Sequence, residues 1–239
     1  MLSIEVNETP KEAIEVSSLP DVQEISSESC ELKEIWNEFA MSIDEFAEST
    51  ILEGEELPRE IVEAREYGVG ECVDVVKKSF PLEVINEWGH MTLEQRNKVI
   101  QEYASGIGEA LGINFEGIVW EEFPIENGRY IGGFNTGDGY IHLNVDILAD
   151  PAQLMKVIDV VAHEERHQLQ NEAIASPEKF PIDEATIKEW TVAKSVYTTE
   201  QPTAYDPWGY SYNPMETDSN FFGGSMVREL TKALINNIV

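Results

Sequence analysis

The stretch that most constrains the fold is "LMKVIDVVAHEERHQLQNEAIA", residues 154–175. Its first half is almost wholly apolar and its second half carries charges and amides. Asp150-Pro151 just ahead of it offers an N-cap followed by a proline at the first helical position, so a helix is expected to open there. Such a helix must bury its first half and set its polar half at the floor of a cleft. His163 and His167 lie four residues apart, which puts both imidazoles on one face, a turn apart. Two imidazoles so placed can hold one Zn²⁺. Glu164 is turned by about 100° from His163. From there its carboxylate can take a proton from water activated by the ion without itself ligating.

A catalytic zinc commonly takes three protein ligands and keeps a fourth position open. The remaining histidines, His90 in "EWGHM" and His142 in "GYIHLNV", have no evident ligand context. Glu216 in "YSYNPMETDSNFF" is the candidate third ligand and Asp218 its rival. Residues two apart on a helix do not share a face, so only one of the two is expected to bind. A competing role exists for Glu216. With Asn213 as N-cap and Pro214 at the first position, Glu216 stands at the third, where a glutamate can cap its own helix.

The flanking sequence suggests how this helix is supported. Thr92, with Gln95 three residues on, marks a capped helix whose stripe is Val99, Ile100, Tyr103, Ile107 and Leu111, ended by Gly112. The period then shortens. "GIVWEEF" (117–123), "RYIGGF" (129–134) and "GYIHLNV" (139–145) read as strands separated by glycine-rich turns. The alternation puts Tyr140, His142 and Asn144 on one face of the third. A helix over Asp183–Val196 and a last one from about Pro214 to Ile235 complete the pattern. The expected fold is α+β, with a small mixed sheet on the HExxH helix and a mainly helical C-terminal part.

The first third of the chain differs. Residues 1–29 read as a flexible acidic leader, and residues 30–72 as a helical extension with a stripe of Leu32, Ile35, Trp36, Phe39, Ile43 and Phe46. The domain carrying the motif is taken as 73–239. The net charge is -30. Residues 1–66 hold 4 basic and 19 acidic residues, a charge of -15 and half of that total. A chain so acidic is repelled by nucleic acid and by anionic membranes. An acidic protein that mimics nucleic acid toward a basic partner is the alternative that this charge suggests. Cys30 and Cys72 imply no disulfide framework. No signal peptide or apolar run of membrane-spanning length is visible. The expectation is a cytoplasmic product, with export by a signal-independent route open, and no particular oligomeric state.

These residues resemble the zincin metallopeptidases, and more closely the gluzincin type, in which a second helix supplies a glutamate ligand. The resemblance is greatest to small bacterial zincin-like peptidases. "VVAHEERHQLQ" matches the form HExRHxxQ, with Arg166 and Gln170 in place. "EWTVAKSVY" and "YNPMETDSNFF" match the downstream segment, with Ser219 where alanine is usual. "GYIHLNVDIL" resembles the edge strand that precedes the active helix and pairs with extended substrate. The likeness runs from about Phe80 to Met226 and does not touch residues 1–70. It implies His163, His167 and Glu216 as zinc ligands, Glu164 as general base, and a protein or peptide as substrate. Hydrolysis through an oxyanion also calls for a donor besides the metal. Tyr212 is the first choice among Tyr205, Tyr210 and Tyr212. Asp218 and Asn220 can support a ligand from behind, while Arg166 and Glu165 are expected in structural salt bridges. The alternatives are an inactive zincin-like binding protein and an acidic interaction protein.

Overall fold

The structure is a computed structural model that describes residues 66–123, 132–196 and 213–238. All of these belong to one of the chain's two units, Phe39–Val239. The leader, nearly all of the helical extension, and Tyr205, Tyr210 and Tyr212 lie outside the described residues.

Among the described residues, two helices precede the region where the sequence pattern is clear. Helix α1 is Val69–Ser79 and α2 is Leu82–Glu87, followed by a 3₁₀ turn, Trp88–His90. Helix α1 runs through the expected start of the domain at Val73, burying Cys72, Val73 and Val76. Helix α3, Leu93–Leu111, starts as its local chemistry dictates: Thr92 accepts from the Gln95 amide while the Gln95 side chain accepts from the Thr92 amide. Gly112 ends it in the left-handed conformation at φ 69°. Its inner face buries Ile100, Tyr103, Ala104, Ile107 and Leu111.

The sheet is mixed, in the order β1-β3-β2, from β1 Gly117–Glu121, β2 Gly133–Asn135 and β3 Tyr140–Asn144. Strands β1 and β3 run parallel, with Trp120 opposite Leu143. Strand β2 runs antiparallel to β3, with Phe134 opposite His142. The strand expected at the edge, β3, is therefore the central one. It carries the fully buried Ile141 and Leu143, which suit it to the middle. Among the described residues the edge beside the HExxH helix belongs to β2. Gly133 permits this: a Cβ there would lie 2.8 Å from the His142 carbonyl and 2.7 Å from Leu143.

After β3 come α4, Val145–Ala149, and a 3₁₀ turn at Pro151–Gln153. Asp150 caps that turn, accepting from the Ala152 amide, so the proline opens a 3₁₀ segment and the α-helix begins three residues later. Helix α5 is Leu154–Ala175, α6 is Glu184–Ser195 and α7 is Pro214–Ile238. Asp183 caps α6 through the Thr186 amide. Helix α5 is the centre of the molecule, with α3, α6, α7 and the sheet packed about it. Its polar half is buried as deeply as its apolar half, Glu165, Arg166 and Gln170 being wholly enclosed. The molecule is α+β and mostly helical, with a small three-stranded mixed sheet. Among the described residues no helix is long and apolar enough to cross a membrane.

Helix α7 lies close against α5 at Gly223, where a Cβ would lie 2.8 Å from the Asp159 backbone carbonyl. Gly223→Ala must push the two helices apart, because neither backbone can yield locally. The expected loss is about 1–3 kcal/mol, read as a lower midpoint in thermal unfolding. An unchanged midpoint would show that this contact does not set the helix spacing.

Candidate metal centre

Helices α5 and α7 together bring His163, His167 and Glu216 to one point. Among the described residues these three form the cluster able to hold a metal ion, their ligand atoms all lying within 4.8 Å of one another. The two Nε2 atoms are 3.0 Å apart. Glu216 Oε1 is 3.0 Å from His167 Nε2, and Oε2 is 3.4 Å from His163 Nε2. Tetrahedral zinc bonded at about 2.0–2.1 Å separates neighbouring ligand atoms by about 3.3 Å. The two imidazole nitrogens and the carboxylate thus already outline one face of such a tetrahedron, and a borderline cation suits their chemistry. Asn213 takes the N-cap, its Oδ1 accepting from the Met215 amide, while the Glu216 carboxylate, almost wholly buried, faces the imidazoles.

Asp218 faces elsewhere. It is buried against Arg166, accepting from Nε at 2.7 Å and from Nη2 at 3.1 Å. The two-residue offset from Glu216 sends it to a neighbouring face of α7. His142 stands on the sheet, 2.8 Å from a Glu121 oxygen and stacked on Phe134 at 4.4 Å. His90 is exposed in the 3₁₀ turn after α2. Asn220 is half-buried on α7.

Glu164 is buried beside the cluster. Burial raises its carboxyl, while His163 and His167 pull it part of the way back. A base raised in this way holds a proton more readily near neutral pH. Val160, Glu164, His167 and Asn171 line one stripe of α5. Along this stripe lie β2 and the turn after it. The Cβ positions of Gly132 and Gly133 fall against Val160, and that of Gly137 against Asn171. The edge strand therefore runs beside the turn that carries Glu164.

Glu165 corrects an expectation. Its carboxyl is fully buried near Gly108 and Phe115, and neither oxygen has a hydrogen-bond partner. Among the described residues it forms no salt bridge, because its side of α5 is covered by α3, which offers no cation there. Burial, reinforced by the nearby Glu164 and Glu172 charges, holds it well above the usual carboxylate range. The sequence reading also missed Gln170 as a neighbour of the cluster. Its spacing of three from His167 was the available signal.

No protein-family model matches the chain, and neither the curated proteins nor the solved structures contain a match.

Metal-free protein makes a pH-dependent prediction. Burial alone would lower the His167 imidazole, but the Glu216 carboxylate outweighs it and raises the group from 6.5 to about 9. A raised pKa stabilises the fold fully below 6.5, and that contribution is lost as pH climbs through about 9. Burial opposes ionisation of Glu216, yet the two imidazoles win and hold it far below its ordinary value, so its part persists into strong acid. Thermal melts without metal should therefore weaken between pH 6.5 and about 9. Glu164 and Glu165 add falls of their own. The difference between the unsubstituted chain and Glu216→Gln isolates the ion pair, and a difference that does not shrink with rising pH would refute the assignment.

Proposed function

We propose that the chain is a zinc-dependent endopeptidase of the zincin kind, with His163, His167 and Glu216 as the metal ligands and Glu164 as general base. The observation that carries this reading is the triangle of two Nε2 atoms and one carboxylate at 3.0–3.4 Å, with a buried carboxylate next to it. A Zn²⁺ ion held there would polarise a carbonyl and ease the loss of a proton from water.

The chain's own residues do the rest. Glu164, raised by burial, accepts the proton of the attacking water and delivers it to the departing amine. Peptide is the substrate class that the edge strand favours. A strand laid against β2 would extend the sheet by backbone hydrogen bonds, and its scissile bond would pass over the Val160–Glu164 turn. Tyr212, outside the described residues, is retained as the proposed donor to the oxyanion.

The test has two parts. Purified protein stripped of metal and then titrated should bind one Zn²⁺ per chain, and Glu216→Ala should lose that site. Against a library of unstructured peptides, the zinc-loaded chain should show turnover that falls by about 10²–10⁴ in Glu164→Gln, while zinc content and unfolding temperature hold. Absence of zinc binding by the unsubstituted chain overturns the metal reading. Zinc binding with turnover unaffected by Glu164→Gln removes Glu164 as base.

A further inference from the structure

The far side of His167 is enclosed in a defined set of polar groups. Its Nε2 faces His163 and Glu216, and its Nδ1 lies 2.8 Å from Gln170 Oε1. An amide oxygen can only accept. With the amide oxygen facing it, Nδ1 carries a hydrogen, and a neutral imidazole must then turn the lone pair of Nε2 towards the ligand triangle. Everything depends on which way the amide points.

The surroundings determine that direction. The Gln170 nitrogen has the Met215 carbonyl at 3.0 Å, Asp218 Oδ2 at 2.8 Å and Ser219 Oγ at 3.3 Å. Turning the amide over would set its oxygen against a carboxylate and a carbonyl, with no donor to offset the repulsion except the serine hydroxyl. Asp218 in turn cannot drift away. Its Oδ2 accepts from Arg166 Nε at 2.7 Å as well as from Gln170, and Oδ1 accepts from Nη2 at 3.1 Å. Arg166 is fully buried, with its guanidinium 5.9 Å from the Trp190 ring centre and 5.1 Å from that of Phe222. Its Nη1 donates to the Tyr67 carbonyl at 2.9 Å. Positions 166 and 170 are one turn apart on α5, so the charge and the amide reach the same carboxylate from the same helix.

We propose that Gln170 is a positioning residue that fixes His167 as the tautomer with hydrogen on Nδ1, and that Asp218, clamped by Arg166, sets the direction of the Gln170 amide. Asp218 thereby serves the metal centre without touching the ion. Ser219 is compatible with this tautomer, since its hydroxyl oxygen lies 3.2 Å from Nδ1 and can accept there too. This inference rests on the reading of His167 as a ligand.

The experiment is a zinc titration in competition with a chromophoric chelator. Gln170→Met keeps length and volume while removing both amide functions, and its affinity for Zn²⁺ should fall by about 10–100-fold. Gln168→Met, which alters another buried glutamine of α5 that bonds Glu172, should leave affinity unchanged. Equal affinities for Gln170→Met and the unsubstituted chain overturn the proposal and leave the metal reading intact. A chain that binds no zinc in any form overturns both. A second measurement stands even if Gln170→Met fails to fold. In the zinc-loaded, ¹⁵N-labelled chain, long-range proton–nitrogen correlations should show His167 ligating through Nε2 with Nδ1 protonated. The reverse assignment overturns the proposal.

Discussion

The structure depends on a buried ion pair, Arg166 with Asp218, which joins α5 and α7 by charge as well as by packing. Two ions taken out of water cost several kcal/mol each, and only a close, well-bonded geometry offsets this. Here the geometry is bidentate, and a third donor, Gln170, completes the carboxylate. Removing either ion would strand the other in the core, a loss of about 3–5 kcal/mol. The pair also ties down Tyr67, ahead of α1, through the remaining guanidinium nitrogen. One side chain therefore orients three parts of the molecule: the start of α1, the middle of α5 and the first turns of α7.

The candidate centre inherits this arrangement. His163, His167 and Glu164 share α5, so helical geometry alone keeps them together. Glu216 has no such guarantee. Its place beside the imidazoles follows from the register between α5 and α7, set two residues further on by Asp218. Cap and candidate ligand thus lie close together without competing, because Asn213 performs the capping through its own side chain.

Much of this was legible where chemistry is local. The Thr92–Gln95 box, the Asp183 cap and the Gly112 stop are encoded within a few residues, and each element begins or ends where they stand. The histidine spacing was likewise local. What escaped prediction was decided by partners distant in the chain. Strand order was one case, since alternation tells which face a residue takes and not which strand lies beside it. The expected edge strand became the central one because β1 arrives in parallel from the other side. Arg96 was another. It is buried and donates to the Trp88, Leu148 and Ala149 carbonyls, joining the end of α4 to the turn after α2. Glu165 was a third, because the upward push on its carboxyl follows from enclosure, which no spacing reveals.

Helix α7 can be regarded as a lever. It has a close contact with α5 at Gly223, seven residues from Glu216, a lever arm of about 10 Å. Each degree of tilt about that point would displace the carboxylate by roughly 0.2 Å, which is the whole tolerance of a metal–ligand bond. The distal half of the helix, with Leu230 and Leu234 in the core, extends about 20 Å beyond the pivot. Small repacking there would be carried to the triangle as a change in coordination distance, so residues far from any chemistry share in setting how tightly an ion is held.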